Sequence, residues 1–164
     1  METTAETTAY HEAGHAVAAW LFGGRVGWIR LDPEEDELPR RSGETRVLWP
    51  RKLREDAVFP GRVALVALGG PVAEAIYSGD PFHPSAVREW QDDWQIAWGQ
   101  AAAIVPKEAE RMAWLEDQTR RVNQLFRQDS QWSAIAAVAD HLLAHDEVER
   151  EDFEELVEYW LPRE

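Results

Sequence analysis

Residues 4–24 read TAETTAYHEAGHAVAAWLFGG, and the organisation of the chain follows from how this stretch is read. Thr3-Thr4-Ala5-Glu6 has the spacing of a capping box, apolar residues continue through Phe22, and Gly23-Gly24 is a stop signal, so a first helix over about 4–22 is expected. From Ala13 to Phe22 it is apolar nearly all round, through Ala16, Val17, Ala18, Trp20 and Leu21, as in a helix buried within a domain. His11, Glu12 and His15 interrupt that pattern, and polar side chains there need partners. Histidines four apart project from one face a turn apart and can offer two imidazole nitrogens to one metal ion. Glu12, next to the first of them, can take a proton from a water held at that ion. The competing reading is a hydrogen-bonded pair of core histidines without metal.

Outward from this helix, Val26, Trp28, Ile29 and Leu31 suggest a strand, and Thr45 to Trp49 a second one ended by Pro50. Between them lies an acidic run, Asp32 to Glu37. Basic residues follow at Arg40, Arg41, Arg46, Arg51, Lys52 and Arg54, a mixture read as a solvated, mutually screened surface. Pro60 can open a second long helix, apolar at Val63, Leu65, Val66, Leu68, Val72, Ala73 and Ile76 and ended by Ser78-Gly79. Its Gly69-Gly70-Pro71 predicts a kink or a close helix contact. Asp80 to Pro84 reads as a loop, Ser85 as the cap of a third helix reaching about Val105, and Pro106 as a break. Three more helices are expected at about 107–127, at 130–145 after a Ser130 cap, and at 150–160. The expected fold is mainly α, of the α+β class, with a small two-stranded sheet after the first helix, and residues 1–164 form one domain.

Composition narrows the function. With 164 residues and 45% hydrophobic content, one sizeable core is possible. A formal net charge of -14 argues against nucleic acid or an anionic lipid surface as a general partner. The chain has no cysteine, so any metal must be held by nitrogen and oxygen. The N-terminal residues lack the basic start of a secretory signal, and the apolar stretch Val63 to Ile76 is short for a bilayer and contains Glu74, so a soluble cytoplasmic protein without membrane insertion is expected.

A catalytic zinc usually takes a third protein ligand and leaves one position open. The candidates are Glu74, His83, Asp92, Asp93, His141 and His145. On the third helix Trp90, Asp93, Trp94, Ala97 and Ala101 share one stripe while Asp92 lies on the other, so Asp93 points inward. A carboxylate among aromatic rings is costly unless paired or bound to a cation, which favours Asp93. Glu74, inside an apolar helix face, suits a hydrogen bond that orients a ligand, with direct ligation as the alternative. His141 and His145 repeat the four-residue spacing without an acid beside His141 and read as helix-end histidines. Trp90, Trp94 and Trp98 read as packing.

Three segments together resemble the peptidase domain of the FtsH-type ATP-dependent zinc metalloproteases. They are Thr8 to Ala16, Leu68-Gly69-Gly70-Pro71-Val72-Ala73-Glu74-Ala75-Ile76-Tyr77-Ser78-Gly79, and Asp93 with Ala97 four residues on; Val148 to Val157 is a weaker echo. The resemblance implies an FtsH-peptidase-like domain with one zinc ion held by His11, His15 and Asp93, Glu12 as catalytic base, and Glu74 supporting the metal from nearby. It also implies a peptide pairing in extended form along Thr45, Arg46, Val47, Leu48 and Trp49. The sequence departs from the family in having no Gly-x-x-x-x-Gly-Lys-Ser/Thr phosphate loop and in carrying Pro71 where a basic residue is usual. The expected activity is therefore ATP-independent hydrolysis of peptides or unfolded segments, with a homo-oligomer or an ATPase acting in trans as open partners. Two alternatives stand beside it: a non-catalytic, zinc-stabilised interaction or regulatory module, and a helical bundle whose motif is accidental.

Overall fold

The computed structural model describes residues 5–32, 43–79 and 90–163. Helix α1 (Ala5–Leu21) is buried over most of its length, as its all-round apolar sequence requires. It ends where Gly23 takes a positive φ of 94°, open to glycine and strained for other residues. The chain then forms β1 (Arg25–Leu31) and β2 (Gly43–Leu48), the short helix α2 (Arg51–Arg54), and the long helix α3 (Phe59–Ser78). Helices α4 (Gln91–Ala101), α5 (Glu108–Phe126) and α6 (Asp129–His145) follow, then strand β3 (Glu147–Glu149) and helix α7 (Arg150–Trp160). The fold is mainly α with a small antiparallel sheet, as the sequence predicts.

Helix α1 is the hub, packed on α3, α6 and the sheet. Its closest approach is to α3, where Gly14 and Ala18 meet Gly69 and Ala73. A Cβ at Gly14 would overlap the Gly69 carbonyl and come within 2.5 Å of the Ala73 Cβ; one at Gly69 would lie 2.8 Å from the Ala18 Cβ and from the Gly14 carbonyl oxygen. The glycines of α3 thus serve close packing, and the helix runs unbroken through Pro71. By length and composition α3 could cross a membrane, with a mean hydropathy of 1.2 in its most apolar window, yet 67% of that window is covered by the rest of the fold. Its remaining faces carry a second apolar cluster, Ala64, Ala67 and Leu68 with Ala97, Ala101 and Leu115, flanked by Trp94, Trp98 and Trp114.

The sheet has the order β2-β1-β3, so β2 is an edge strand. Ile29 is opposite Thr45 on one side and Val148 on the other, and a bulge at Gly27 shifts the β1–β2 register between Val26 and Trp28. The third strand is the main addition to the two-stranded expectation. Asp146, at φ 62°, caps α6 in the left-handed region and turns the chain into three residues of which only Val148 is buried, too short and too polar to read as a strand.

Helix ends also moved. Strand β2 stops at Leu48, leaving Trp49 outside it, and Pro50 opens α2, which the sequence reading did not separate from its loop. Helix α6 starts at Asp129 with Gln128 at the cap position and no side-chain cap bond, so Ser130 lies inside the helix. Helix α4 ends at Ala101 rather than about Val105. The Thr3-Thr4 half of the capping box, the Ser85 cap and His83 lie outside the described residues.

The α1–α3 contact gives a direct test. Gly14→Ala is expected to cost about 1–3 kcal/mol by overpacking, lowering Tm by roughly 2–12 °C at about 2–4 °C per kcal/mol. A thermal melt unchanged within about 1 °C would show that the two backbones can separate freely.

Candidate metal centre

Helices α1 and α4, both packed on α3, bring three donors to one point. His11 and His15, one turn apart on α1, face Asp93 in the first turn of α4. His11 Nε2 lies 2.8 Å from Asp93 Oδ2, His15 Nε2 lies 3.3 Å from Asp93 Oδ1, and the two Nε2 atoms are 3.1 Å apart. All three donor atoms fall within 4.8 Å of one another.

The far nitrogens of the rings are spoken for. His15 Nδ1 donates to the Val66 carbonyl oxygen at 2.7 Å, in the turn of α3 above Gly70. His11 Nδ1 donates to Glu74 Oε1 at 3.1 Å, and Glu74 Oε2 accepts the Trp90 indole N–H at 2.9 Å. Glu74 is 1% exposed and so depends on these two donors. With a proton fixed on each Nδ1, both Nε2 atoms turn lone pairs toward each other and toward a carboxylate. Three acceptors so placed repel unless a cation sits among them. Donor separations of about 3.3 Å are what a tetrahedral zinc with bonds near 2.0–2.1 Å requires, and the observed distances of 2.8–3.3 Å match that within modest relaxation. Gly70 keeps the space clear: a Cβ there would fall against His15 Nε2 and 2.7 Å from His11 Nε2.

Charge tells the same story in the absence of metal. Burial by itself would lower the His11 pKa, but hydrogen bonds donated to the Asp93 and Glu74 carboxylates outweigh it and hold His11 at about 10. Burial also works against a charged His15, and the Asp93 charge overcomes it and raises that ring as well. Burial would raise Asp93, yet the His15 and His11 rings push it well below the usual carboxylate range. The site is built to hold positive charge, carried by protons when no metal is bound.

Glu12 lies beside the cluster, 7% exposed. The Thr45 hydroxyl is 2.8 Å from Glu12 Oε1 and 3.1 Å from the Glu12 backbone oxygen. Glu12, His11, His15 and Asp93 share one cleft of about 370 Å³, with Thr45, Val47 and Trp49 along one wall and Val63, Val66 and Ile96 on the other. Of the strand residues expected at a substrate, Thr45, Val47 and Trp49 line this cleft, whereas Arg46 and Leu48 are exposed on the alternate face and do not. Asp92 stays exposed and lines the cleft without joining the donor cluster. His141 and His145 on α6 have ring centroids 4.4 Å apart, tilted by 46°, and do not join the donor cluster; Asp152 lies 4.0 Å from His141. Trp94 and Trp98 pack as expected, but Trp90 does more than pack, because its N–H fixes Glu74. The parts that the sequence reading missed are the Val66 carbonyl, the clearance at Gly70 and the tie from Thr45 to Glu12. Only Gly70 carried a signal, as a glycine inside a helix.

With this geometry in view, two similarities to known proteins bear on it. A family described as Peptidase M50B-like matches residues 3–76, which include His11, Glu12, His15 and Glu74 and stop short of Asp93. The ATP-dependent zinc metalloprotease FtsH of Acidimicrobium ferrooxidans is 28% identical over 196 aligned positions, covering 93% of this chain and 28% of that protein. The two carry different family names and have a metallopeptidase in common. The chain is a metallopeptidase-like domain. It spans little more than a quarter of the length of that FtsH relative.

Because His11 titrates at about 10, it carries a proton at pH 7 that a metal at Nε2 must displace. Zinc binding to metal-free protein is therefore expected to release at least one proton, that of His11, with apparent affinity rising up to roughly tenfold per pH unit for each proton released. Calorimetry in two buffers of different ionisation enthalpy counts the protons, and a count of zero would show that the metal binds elsewhere.

Proposed function

We propose that this domain is a zinc-dependent endopeptidase whose metal ligands are His11, His15 and Asp93 and whose general base is Glu12. The observation that carries the reading is that Glu12 opens onto the same cleft as the three donors, beside an edge strand. A metal kept only for stability would need the donors but neither an adjacent base nor an open approach. The likeness to a zinc metalloprotease supports zinc as the ion.

A metal in the cluster would supply a Lewis acid for a water molecule and for the peptide carbonyl. The chain's own residues do the rest. Glu12 takes the proton of the attacking water and delivers it to the departing amine nitrogen as the C–N bond breaks. Glu74 and the Val66 carbonyl hold the two rings by their Nδ1 protons, so that neither ring turns away when a substrate enters. Strand β2 pairs with the substrate backbone along the edge that no other strand occupies among the described residues and sets the peptide across the cleft. The 164 residues contain no phosphate loop, and cleavage is proposed to proceed without nucleotide on flexible or unfolded chains.

Purified wild type is expected to hold about one zinc and to cleave casein without ATP. Glu12→Gln should keep the metal and lose roughly 10²–10⁴ in rate, while Asp93→Ala should lose metal and activity together. Zinc bound with no substrate cut would instead assign the domain a structural metal and an interaction role, and absence of zinc would remove both.

The cleft also has a sign. Glu44 and Asp92 are exposed on it, no lysine or arginine lines it among the described residues, and both acids lack ion-pair partners there. An apolar residue flanked by lysines should therefore be cut roughly three- to tenfold faster at low salt than the same residue flanked by glutamates, the gap narrowing as salt rises. Equal kcat/KM for the two peptides at low salt would count against steering by these acids.

A further inference from the structure

We infer that Thr45 is a positioning residue for the base, tying Glu12 to the edge strand on which substrate is proposed to lie; this rests on the peptidase reading above. The Thr45 hydroxyl has one proton and two acceptors within reach, Glu12 Oε1 at 2.8 Å and the Glu12 backbone oxygen at 3.1 Å. The nearer, more polar carboxyl oxygen takes the stronger bond. Among the described residues no other group bonds to the Glu12 side chain, so this hydroxyl alone selects which carboxyl oxygen is held and which stays free for the proton of the water. A glutamate side chain has three torsions, and without a fixed partner it samples rotamers that point away from the cluster.

The backbone around Thr45 reinforces the bond. Gly43, two residues earlier on the same face of β2, lies so close to the base that a Cβ there would come within 2.8 Å of Glu12 Cγ and 3.3 Å of Glu12 Cδ. Gly43 therefore lets the strand close over the stem of Glu12 while Thr45 grips its end. Thr45 is held in turn by pairing with Ile29, which is fully buried at the centre of the sheet. The strand that would receive the substrate backbone is thus the strand that aims the base. Binding energy from an extended peptide on β2 is applied to Glu12 through one hydroxyl, which is where it raises kcat rather than only lowering KM.

The test compares Thr45→Val, which keeps shape and removes the hydroxyl, with Thr45→Ser, which keeps the hydroxyl. Wild type cleaving an unfolded substrate is the first requirement, and its failure would overturn the peptidase reading and this inference with it. Given cleavage, Thr45→Val is expected to lower kcat roughly ten- to hundredfold, as loss of a supporting hydrogen bond does at such sites, with KM within about twofold and zinc content unchanged. Thr45→Ser should recover to within about threefold of wild type. An unchanged kcat in Thr45→Val, a loss confined to KM, or a serine variant as poor as the valine one would overturn the inference and leave the peptidase reading standing. A readout free of activity uses metal-free protein: Thr45→Val should lower Tm by about 2–4 °C when Glu12 is present and by less in a Glu12→Ala background. Additive shifts in that cycle would show that the two side chains are not coupled.

Discussion

Everything at the centre depends on two helix backbones being allowed to touch. Helix α1 supplies both histidines and Glu12, and α3 supplies the carbonyl and the carboxyl that fix the rings, so their separation sets whether those groups meet. Gly14 against Gly69, with Ala18 and Ala73 alongside, leaves nothing larger than a methyl group at the closest point of the contact. Gly70, one residue on, opens the volume where the imidazole nitrogens converge. Larger residues would push α3 outward, lengthen both Nδ1 hydrogen bonds and let the rings rotate, even though the ligands themselves remained in the chain. The small-residue contact is therefore a functional constraint expressed as packing.

The second constraint is electrostatic, and it runs against the first. Close packing buries His11, Glu12 and Glu74, and burial of polar groups in an alanine-rich interior is costly unless each is bonded. The fold answers with a connected chain: Trp90 N–H to Glu74, Glu74 to His11, His11 and His15 to Asp93, and His15 to Val66. Asp93 is the least buried member, with 18% of its side chain exposed, and it closes the chain from a separate helix. A network with every member bonded is stiff, and one missing member leaves its neighbours unsatisfied in a low-dielectric setting. That explains why Trp90, outside the donor cluster, bears on its geometry through Glu74.

Much of this was legible in the sequence because it is written as local periodicity. The four-residue histidine spacing, the apolar run of α1 and the stripe through Trp90, Asp93, Ala97 and Ala101 each follow from 3.6 residues per turn, and the inward placement of Asp93 came from that stripe alone. What stayed hidden depends on contacts between segments far apart in the chain. Val66 contributes through a backbone oxygen, which no side-chain pattern encodes. Strand β3 is three residues long with one apolar side chain, and its existence depends on β1 being available to pair. Thr45 was visible as a strand residue, yet nothing in its neighbourhood signals a glutamate 33 positions earlier.

The division of the site between segments also bears on how such a domain can change. His11, Glu12, His15 and Glu74 fall within residues 3–76, matched by one metallopeptidase family, whereas Asp93 and Trp90 lie beyond that match. The first group is fixed by the α1–α3 contact, where a shift of either helix disturbs the core. The second rides on α4, whose inner face packs on α3 through alanines, Ala97 and Ala101, without a glycine contact of that closeness. The third donor, a carboxylate on a separately packed helix, is constrained less tightly than the histidine pair. Tolerance in the donor cluster is thus concentrated at Asp93, whereas Glu12, held from β2 by the Thr45 hydroxyl, is fixed independently of that helix.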